Sequence, residues 1–251
     1  MAVPAAAPMK LEFLPIEHVP EIRSGINLSE CLKDSIRASG LELRPKDILA
    51  VTQKIVSKAE DRVVDLSSIE PCAHSIAIAR RMKKDPRLVE VILRESRRIV
   101  RMRGEVLICE THHGFICANA GVDQSNVEGS EVVTLLPKDP DRSARQLAAA
   151  LGCGVIVTDT FGRAWREGLV DTAIGVSRVP PFIDFRGKND DHGHRLNVTL
   201  LAAVEGLAAA AGVVMGKTSR IPAALIRGFQ WEDAESNIAM LLRSADKDLF
   251  L

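Results

Sequence analysis

The stretch from residue 154 to 168 combines a short apolar run with side chains that could bind a metal ion and phosphate. Its run of Val-Ile-Val-Thr at 155–158 predicts a buried β-strand. Asp159 and Thr160 follow directly, and carboxylate and hydroxyl oxygens are ligands that Mg²⁺ or Mn²⁺ accepts. Asp and Thr are also favoured helix N-caps, so this local pattern alone permits a purely structural role. Two arginines that could neutralise phosphate or carboxylate oxygens come next, Arg163 and Arg166.

A second loop with similar ligands lies earlier in the chain. It spans residues 119–126, Asn-Ala-Gly-Val-Asp-Gln-Ser-Asn, and follows the apolar run at 115–117. Asp123 and Asn126 offer oxygen or amide ligands, and Gly121 would let a ligand approach the backbone closely. Loops rich in Asp, Asn and Ser are most often simple turns. Two such loops, each behind a predicted strand, nevertheless favour a site for a hard metal ion.

Lysines that could bind phosphate follow another predicted strand, residues 47–51. The segment 52–60 carries Lys54 and Lys58 among hydroxyl side chains, which suits phosphate binding. The same segment could equally be the exposed start of a helix.

Gly216-Lys217-Thr218 invites comparison with a P-loop, but the comparison fails. Ala211 occupies the position of the required first glycine, and a helix precedes the motif while a strand follows it. The remaining inventory of hard-ligand loops, lysines and arginines is typical of a metal-assisted nucleotide enzyme.

The elements that must position these residues are predicted from hydrophobic spacing. Helices are predicted at 28–39, 73–84, 88–97, 141–151 and 196–211, with an amphipathic helix from residue 232 onward. Strands are predicted at 11–16, 47–51, 155–158 and 223–226, and three antiparallel strands at 99–102, 105–109 and 114–118.

Composition excludes several classes of protein. The chain has 251 residues, 33 basic and 33 acidic side chains, and therefore no net charge that would favour nucleic acid. Basic runs occur at 80–84 and 97–103, where solvated faces are the simpler interpretation. Five scattered cysteines argue against a disulfide framework or a zinc ribbon. No apolar run reaches the roughly 18 residues of a membrane span, and a cytoplasmic location is expected.

Five motifs together resemble one family, coenzyme F(420)-0:L-glutamate ligase, also called F(420)-0:gamma-glutamyl ligase. They are Q-K-I-V-S-K-A-E at 53–60, N-A-G-V-D-x-S-N at 119–126, T-D-T-x-G-R at 158–163, D-x-x-G at 190–193 and M-G-K…I-P…I-R-G at 215–228. The resemblance extends from about Leu14 to Leu242 and is to the stand-alone form of the family. It implies an α+β fold of mixed and antiparallel sheets with helices, assembled as an intertwined homodimer. Residues 1–10 would be a flexible tail and 11–251 one ligase domain, or two interleaved subdomains.

The resemblance also implies a reaction. The enzyme would use GTP and Mg²⁺ or Mn²⁺, with K⁺ as an optional further ion, to add L-glutamate to the 8-hydroxy-5-deazaflavin coenzyme precursor. The first amide would be followed by γ-linked extension, through an acyl phosphate, with GDP and phosphate as products. No nucleic acid and no membrane is implied as a partner.

Site residues carry over by position. The resemblance implies three metal ligands (Asp123, Asp159, Thr160), and Asp159, Arg163 and Lys58 as catalytic residues. The implied GTP contacts are Val19, Pro20, Glu21, Ile22, Gln53, Lys54, Lys58, Asn126, Gly216, Lys217, Thr218 and Ser219.

Two positions depart from the family pattern. Lys217 stands where many archaeal members carry an acidic or amide metal ligand, and His194 stands where an arginine is usual. Lys217 would either leave one metal site without an outer ligand or contact phosphate directly. These departures permit an alternative ligase with another acceptor or amino acid. A non-catalytic module that uses the two basic runs to bind an anionic partner is a further alternative.

Overall fold

The computed structural model describes residues 10–125 and 131–248 and has an α+β fold, as the resemblance implies. Elements are labelled in chain order. The largest sheet contains β1 (Glu12–Pro15), β2 (Ile48–Thr52), β8 (Gly154–Arg163), β9 (Arg166–Ser177) and β12 (Ala223–Arg227). Its order is β1-β12-β2-β8-β9, with β2 and β8 parallel and the other neighbours antiparallel. The sheet is therefore mixed.

Strands β2 and β8 form the middle of this sheet. The apolar runs at 48–51 and 155–157 are completely buried, including Ile48, Val51 and Ile156 at 0% exposure. Continuous β-branched runs of this kind are typical of strands buried on both faces. The parallel register pairs Thr52 with Thr158. The residues that follow Thr52 and Thr158 therefore lie side by side, at the edge of the sheet where these two parallel strands have their carboxyl ends.

Four helices pack around the large sheet. They are α1 (Leu28–Ala38), α2 (Gln53–Ala59), α5 (Pro140–Leu151) and α6 (Ala203–Met215). The Asn27 side chain caps α1, and Asp139 caps α5 before Pro140. Residues 53–59 form α2, whose Gln53, Ile55, Val56 and Ser57 are buried, so the segment is helical but not an exposed helix start. The phosphate-binding role of Lys54 and Lys58 stays a prediction.

Residues 63–125 and 131–135 belong to a smaller unit between α2 and α5. Its elements are β3 (Val63–Asp65), α3 (Ala73–Met82), α4 (Pro86–Arg94), β4 (Ser96–Arg103), β5 (Val106–Thr111), β6 (Ile116–Ala118) and β7 (Val132–Thr134). Strands β4, β5 and β6 form the predicted antiparallel sheet, and β3 pairs with β7. Apolar residues from Leu66 to Leu135 make a separate hydrophobic cluster. The prediction of one domain with optional subdomains stays a prediction.

The central hairpin is longer than the sequence suggests. The sequence predicts a strand that ends at Thr158, with Asp159 and Thr160 in the loop that follows. Strand β8 instead continues to Arg163 and turns into β9. The structure corrects this expectation because β9 supplies backbone partners for the polar half of β8, with bulges between 157 and 158 and between 162 and 163.

Two predicted helices differ in the structure, one in where it begins and the other in being absent from the described residues. The helix expected at 196–211 begins only at Ala203, because β11 (Leu200–Ala202) pairs with β10 (Phe182–Asp184). The tail from residue 232 contains no α-helix within its described part, which ends at residue 248. Phe229 and Trp231 before this segment and Ile238 within it are buried in the large core, and the described tail forms two short 3₁₀ helices, Ile238–Leu241 and Ala245–Lys247. No helix among residues 10–125 and 131–248 could cross a membrane.

Candidate functional site

Three parts of the chain meet where β2 and β8 leave the centre of the sheet. Helix α2 starts directly after β2, and the polar half of β8 continues beside it. Asp123, from the smaller unit, exchanges two backbone hydrogen bonds with Thr134, at 3.0 and 2.8 Å. The loop between α6 and β12 contributes Lys217. Two predicted ligand loops therefore do approach one another, as part of a larger cluster.

Asp123 is held by a lysine of α2. Its Oδ2 atom lies 2.8 Å from Nζ of Lys54, and both Asp123 oxygens accept bonds from Ser125. Burial alone would raise the pKa of Asp123, but the bonds from Lys54 and Ser125 outweigh it and lower the pKa. The carboxylate is thus ionised, and its charge is balanced by an ammonium group.

Asp159 is the central carboxylate of the cluster. Burial raises its pKa to about 7, and the nearby carboxylates of Asp123 and Asp171 contribute to the increase. The Thr160 backbone bond and the positive charge of Lys54 oppose that increase. A carboxylate desolvated among like charges favours either a proton or a bound cation.

Thr160, Asp171 and Lys217 form a polar triad beside Asp159. Thr160 and Asp171 are paired across the hairpin, and the Thr160 hydroxyl donates to Oδ1 of Asp171 at 2.6 Å. Nζ of Lys217 lies 3.1 Å from the same oxygen and also donates to the Thr160 hydroxyl. Helix α6 covers Asp171, since a Cβ atom at Gly212 would lie 2.6 Å from Cγ of Asp171.

Lys58 points away from this cluster toward the loop at 19–22. Its Nζ lies 2.5 Å from Oε1 of Glu21, and its side chain is only 13% exposed. Ile22 is buried and anchors the same loop in the large core. One turn earlier on α2, Gln53 is buried with its Oε1 accepting from Ser57. These contacts place the predicted nucleotide loop against α2.

Several buried polar atoms near the site have no hydrogen-bond partner. They are Nε2 of Gln53, Oγ1 of Thr158 and Oδ1 of Asn119. Unpaired buried donors and acceptors are rare in folded proteins and require an explanation, such as a bound ligand or an ordered water. Each of the three lies within or next to a motif that carries the resemblance. Their positions fit a site that is completed by a bound molecule.

Other predicted residues are not brought to this cluster. Arg163 lies at the exposed end of the hairpin, where its guanidinium donates to the Glu167 carbonyl. It lies four positions after Asp159 on β8, about 13 Å along an extended chain. His194 lies in an exposed loop, with Nδ1 3.2 Å from Oδ2 of Asp190. Asn126 lies outside the described residues.

Asp171 is the residue of this cluster that sequence reasoning missed. Its side chain is only 5% exposed, which is unusual for an aspartate. The signal that could have identified it is the segment after Gly168, Leu-Val-Asp-Thr, read as the returning strand of a hairpin. Only the pairing register shows that it faces Thr160.

The donor set suits a hard divalent cation. Asp123, Asp159 and Thr160 supply two carboxylates and one hydroxyl, and Mg²⁺ keeps several waters when protein ligands are few. Among residues 10–125 and 131–248, no three Asp, Glu, His or Cys side chains are close enough to form a complete metal cage. Two carboxylates and one hydroxyl would leave other coordination positions of such an ion to water and substrate oxygens.

Comparison with known proteins identifies the class to which this fold and site belong. The model of the F(420)-0:Gamma-glutamyl ligase family matches residues 17–228. The chain belongs to this family, which confirms the resemblance seen in its motifs.

Similar proteins are known from several archaea. The chain is 39% identical over 251 residues to the coenzyme F(420):L-glutamate ligase of Methanothermobacter thermautotrophicus, covering 96% of this chain and 99% of the relative. It is 41% identical over 253 residues to the protein of the same name from Methanopyrus kandleri, covering 96% and 97%. The corresponding ligase of Methanocaldococcus jannaschii is 36% identical over 250 residues, covering 96% and 97%.

Proposed function

We propose that this protein is a GTP-dependent ligase that adds L-glutamate to the deazaflavin coenzyme precursor F(420)-0. The observation that carries the proposal is the cluster of Lys54, Asp123, Asp159, Thr160 and Lys217 at one edge of the sheet. Relatives similar over nearly the whole chain are named as ligases for this coenzyme and amino acid. The proposal includes an amide bond first and γ-linked glutamates afterwards.

The proposed chemistry activates a carboxylate before an amine attacks it. The terminal phosphoryl group of GTP passes to the acceptor carboxylate and gives an acyl phosphate. The amine of L-glutamate, once deprotonated, attacks the acyl carbon, the amide forms and phosphate leaves. Most of the protein's contribution to such phosphoryl transfer is positioning and charge stabilisation.

The lysines supply fixed positive charge for this transfer. Lys54 and Lys58 lie on one short helix, and each is paired with a carboxylate that is more exposed than the lysine itself. Phosphate oxygens could replace those carboxylates without moving the helix. Arg163 stays a proposed catalytic residue on the strength of the family resemblance alone, because the structure places it at the exposed end of the hairpin, away from the cluster.

A divalent ion at Asp123, Asp159 and Thr160 would polarise phosphate oxygens and neutralise charge that develops during transfer. The carboxylates of Asp123 and Asp159 hold the ion, and Thr160 adds a neutral ligand. Mg²⁺ and Mn²⁺ are the candidates, with K⁺ as an optional further ion. Val19, Pro20, Gly216, Thr218 and Ser219 are proposed as further nucleotide contacts.

We also propose that the protein acts as a homodimer. Large apolar side chains are unusually exposed on the hairpin, near β11 and on α6: Leu169 at 71%, Val198 at 88%, Leu201 at 54% and Val213 at 84%. Such exposure is typical of surfaces that pair with another chain. Light scattering tests this directly, and a lysine substituted for Leu169 or Val213 is expected to shift the dimer toward monomer.

The deciding experiment is mass spectrometry of the deazaflavin after incubation with F(420)-0, L-glutamate, GTP and Mn²⁺ or Mg²⁺. We expect mass increases in steps of one glutamyl residue, together with GDP and phosphate. Omission of either GTP or the divalent ion should prevent them. Absence of product from folded protein that binds GTP would contradict the proposed acceptor and favour a ligase for another carboxylate or amino acid.

A further inference from the structure

Among the described residues, the site contains three carboxylates and two lysines that pair with them. Lys54 pairs with Asp123 at 2.8 Å, and Lys217 pairs with Asp171 at 3.1 Å. Asp159 interacts electrostatically with both aspartates and with Lys54. Within the described part of the chain, Asp123 and Asp171 therefore each have a lysine partner, whereas Asp159 forms no ion pair of its own.

The Lys217 contact is built into the fold. Asp171 is 5% exposed and cannot be balanced by bulk water, since a buried charge is costly unless it is paired and hydrogen-bonded. Both its partners, the Thr160 hydroxyl and the Lys217 ammonium, meet at Oδ1. Gly212 lets α6 pack directly over this carboxylate, since a Cβ atom there would lie 2.7 Å from Oδ2 of Asp171.

The same contacts orient the Thr160 hydroxyl. Its proton goes to Asp171, and one of its two lone pairs accepts from Lys217. A hydroxyl has one donor and two acceptor positions, so one lone pair remains for a metal ion. Asp171 and Lys217 therefore act together on the hydroxyl without being ligands themselves.

We propose that Lys217 is a fixed cation of this site. Its ammonium group occupies the position beside Asp171, so the site binds a single divalent ion, at Asp123 and Asp159. This inference rests on the proposed function, because it assigns the metal number of the same site. Asp171 is a positioning residue in this arrangement: it holds the ammonium and the hydroxyl. Lys217 stays at the surface, with 60% of its side chain exposed, where it can also contact a phosphate oxygen.

The test is the number of Mn²⁺ ions bound by the full chain, measured by electron paramagnetic resonance with Mn²⁺ alone. We expect one ion for the unaltered protein and two for Lys217→Glu, which replaces the ammonium by a ligand next to Asp171. In the double variant Lys217→Glu with Asp171→Asn, the number should return to one. Lys217→Arg keeps the charge and should bind one ion, as should Lys188→Met, an exposed lysine on another loop.

The outcomes separate the inference from the proposed function. Two ions in the unaltered protein, with the second lost in Asp171→Asn, would overturn the inference and leave the ligase proposal standing. A single ion in Lys217→Glu, with an unchanged melting temperature, would also overturn it. No bound Mn²⁺ in the unaltered protein would overturn both the fixed-cation role and the proposed metal site.

Discussion

The ammonium group of Lys58 lies 2.5 Å from the Glu21 carboxylate and joins the 19–22 loop to helix α2. The lysine end of this pair is sheltered, at 13% exposure, while the glutamate end is 69% exposed. An incoming phosphate can therefore displace the glutamate and keep the lysine in place.

Lys58→Met is expected to weaken GTP binding by about 10- to 100-fold, because a charge-assisted hydrogen bond contributes about 1.5–3 kcal/mol. Glu21→Gln should change the affinity much less, since it releases the ammonium without removing it. Isothermal titration with GTP measures both. Lys33→Met, which breaks an ion pair of 2.9 Å on α1, is the matched control, and an equal effect there would refute the assignment.

Asp123→Asn and Asp159→Asn should each reduce turnover at least about 10²-fold, because each removes a charged ligand of the ion. Both variants should fold, since asparagine is nearly isosteric with aspartate. Asp34→Asn, at an exposed position on α1, serves as the control. Near-normal turnover in either variant would remove that residue from the metal site.

Gly212→Ala is expected to lower stability by about 1–3 kcal/mol, because the new methyl group would overlap the Asp171 side chain at 2.6 Å. It should also weaken Mn²⁺ binding by displacing the triad. Gly206→Ala lies in the same helix with no atom within 4 Å, and should instead gain about 0.5–1 kcal/mol. Urea unfolding compares the pair, and equal stabilities would contradict close packing of α6 on Asp171.

Glu90 provides a prediction about pH. The bond from the Ser75 hydroxyl, followed by the Cys72 backbone N–H, lowers the pKa of Glu90 to about 2. Its ionised form thus stabilises the native state above its ordinary pKa of 4.5, and this contribution disappears as the pH falls toward 2.

Glu90→Gln should therefore cost about 1–3 kcal/mol at pH 7, and the cost should shrink between pH 4.5 and pH 2. Urea unfolding at several pH values measures it, with Glu70→Gln, at an exposed position, as the comparison. A cost that is independent of pH would show that the charge of Glu90 is not what stabilises this contact.

The parts of the fold that sequence reasoning predicted are those set by local pattern. The apolar runs at 48–51 and 155–157 predict buried strands, and both form buried strands in the structure. The cap residues Asn27 and Gly152 lie at the start of α1 and at the end of α5. Strand β9 was not predicted, because its first half, Arg-Glu-Gly-Leu-Val-Asp-Thr, is largely exposed and has no clean alternation. The pairing of β9 with β8 depends on contacts between the two strands and not on the local pattern of β9.

The candidate site divides in the same way. Asp123, Asp159 and Lys54 are recognisable because they follow predicted strands and belong to motifs. The position of Asp171 depends on the pairing register of the hairpin. Its contact with Lys217 also depends on how α6 packs on the sheet, and these two residues are 46 positions apart in the chain. Long-range geometry of this kind has no signature in a single sequence.

The unit formed by residues 63–125 and 131–135 has a consequence for how the protein responds to ligands. Asp123 follows Val122, which belongs to the smaller hydrophobic cluster, while Asp159 lies two residues after Val157, which belongs to the larger one. An ion held by both aspartates would bind only when the two clusters are folded and in register. Binding would then link their unfolding equilibria, so that a saturating ion makes the two parts melt as one cooperative unit.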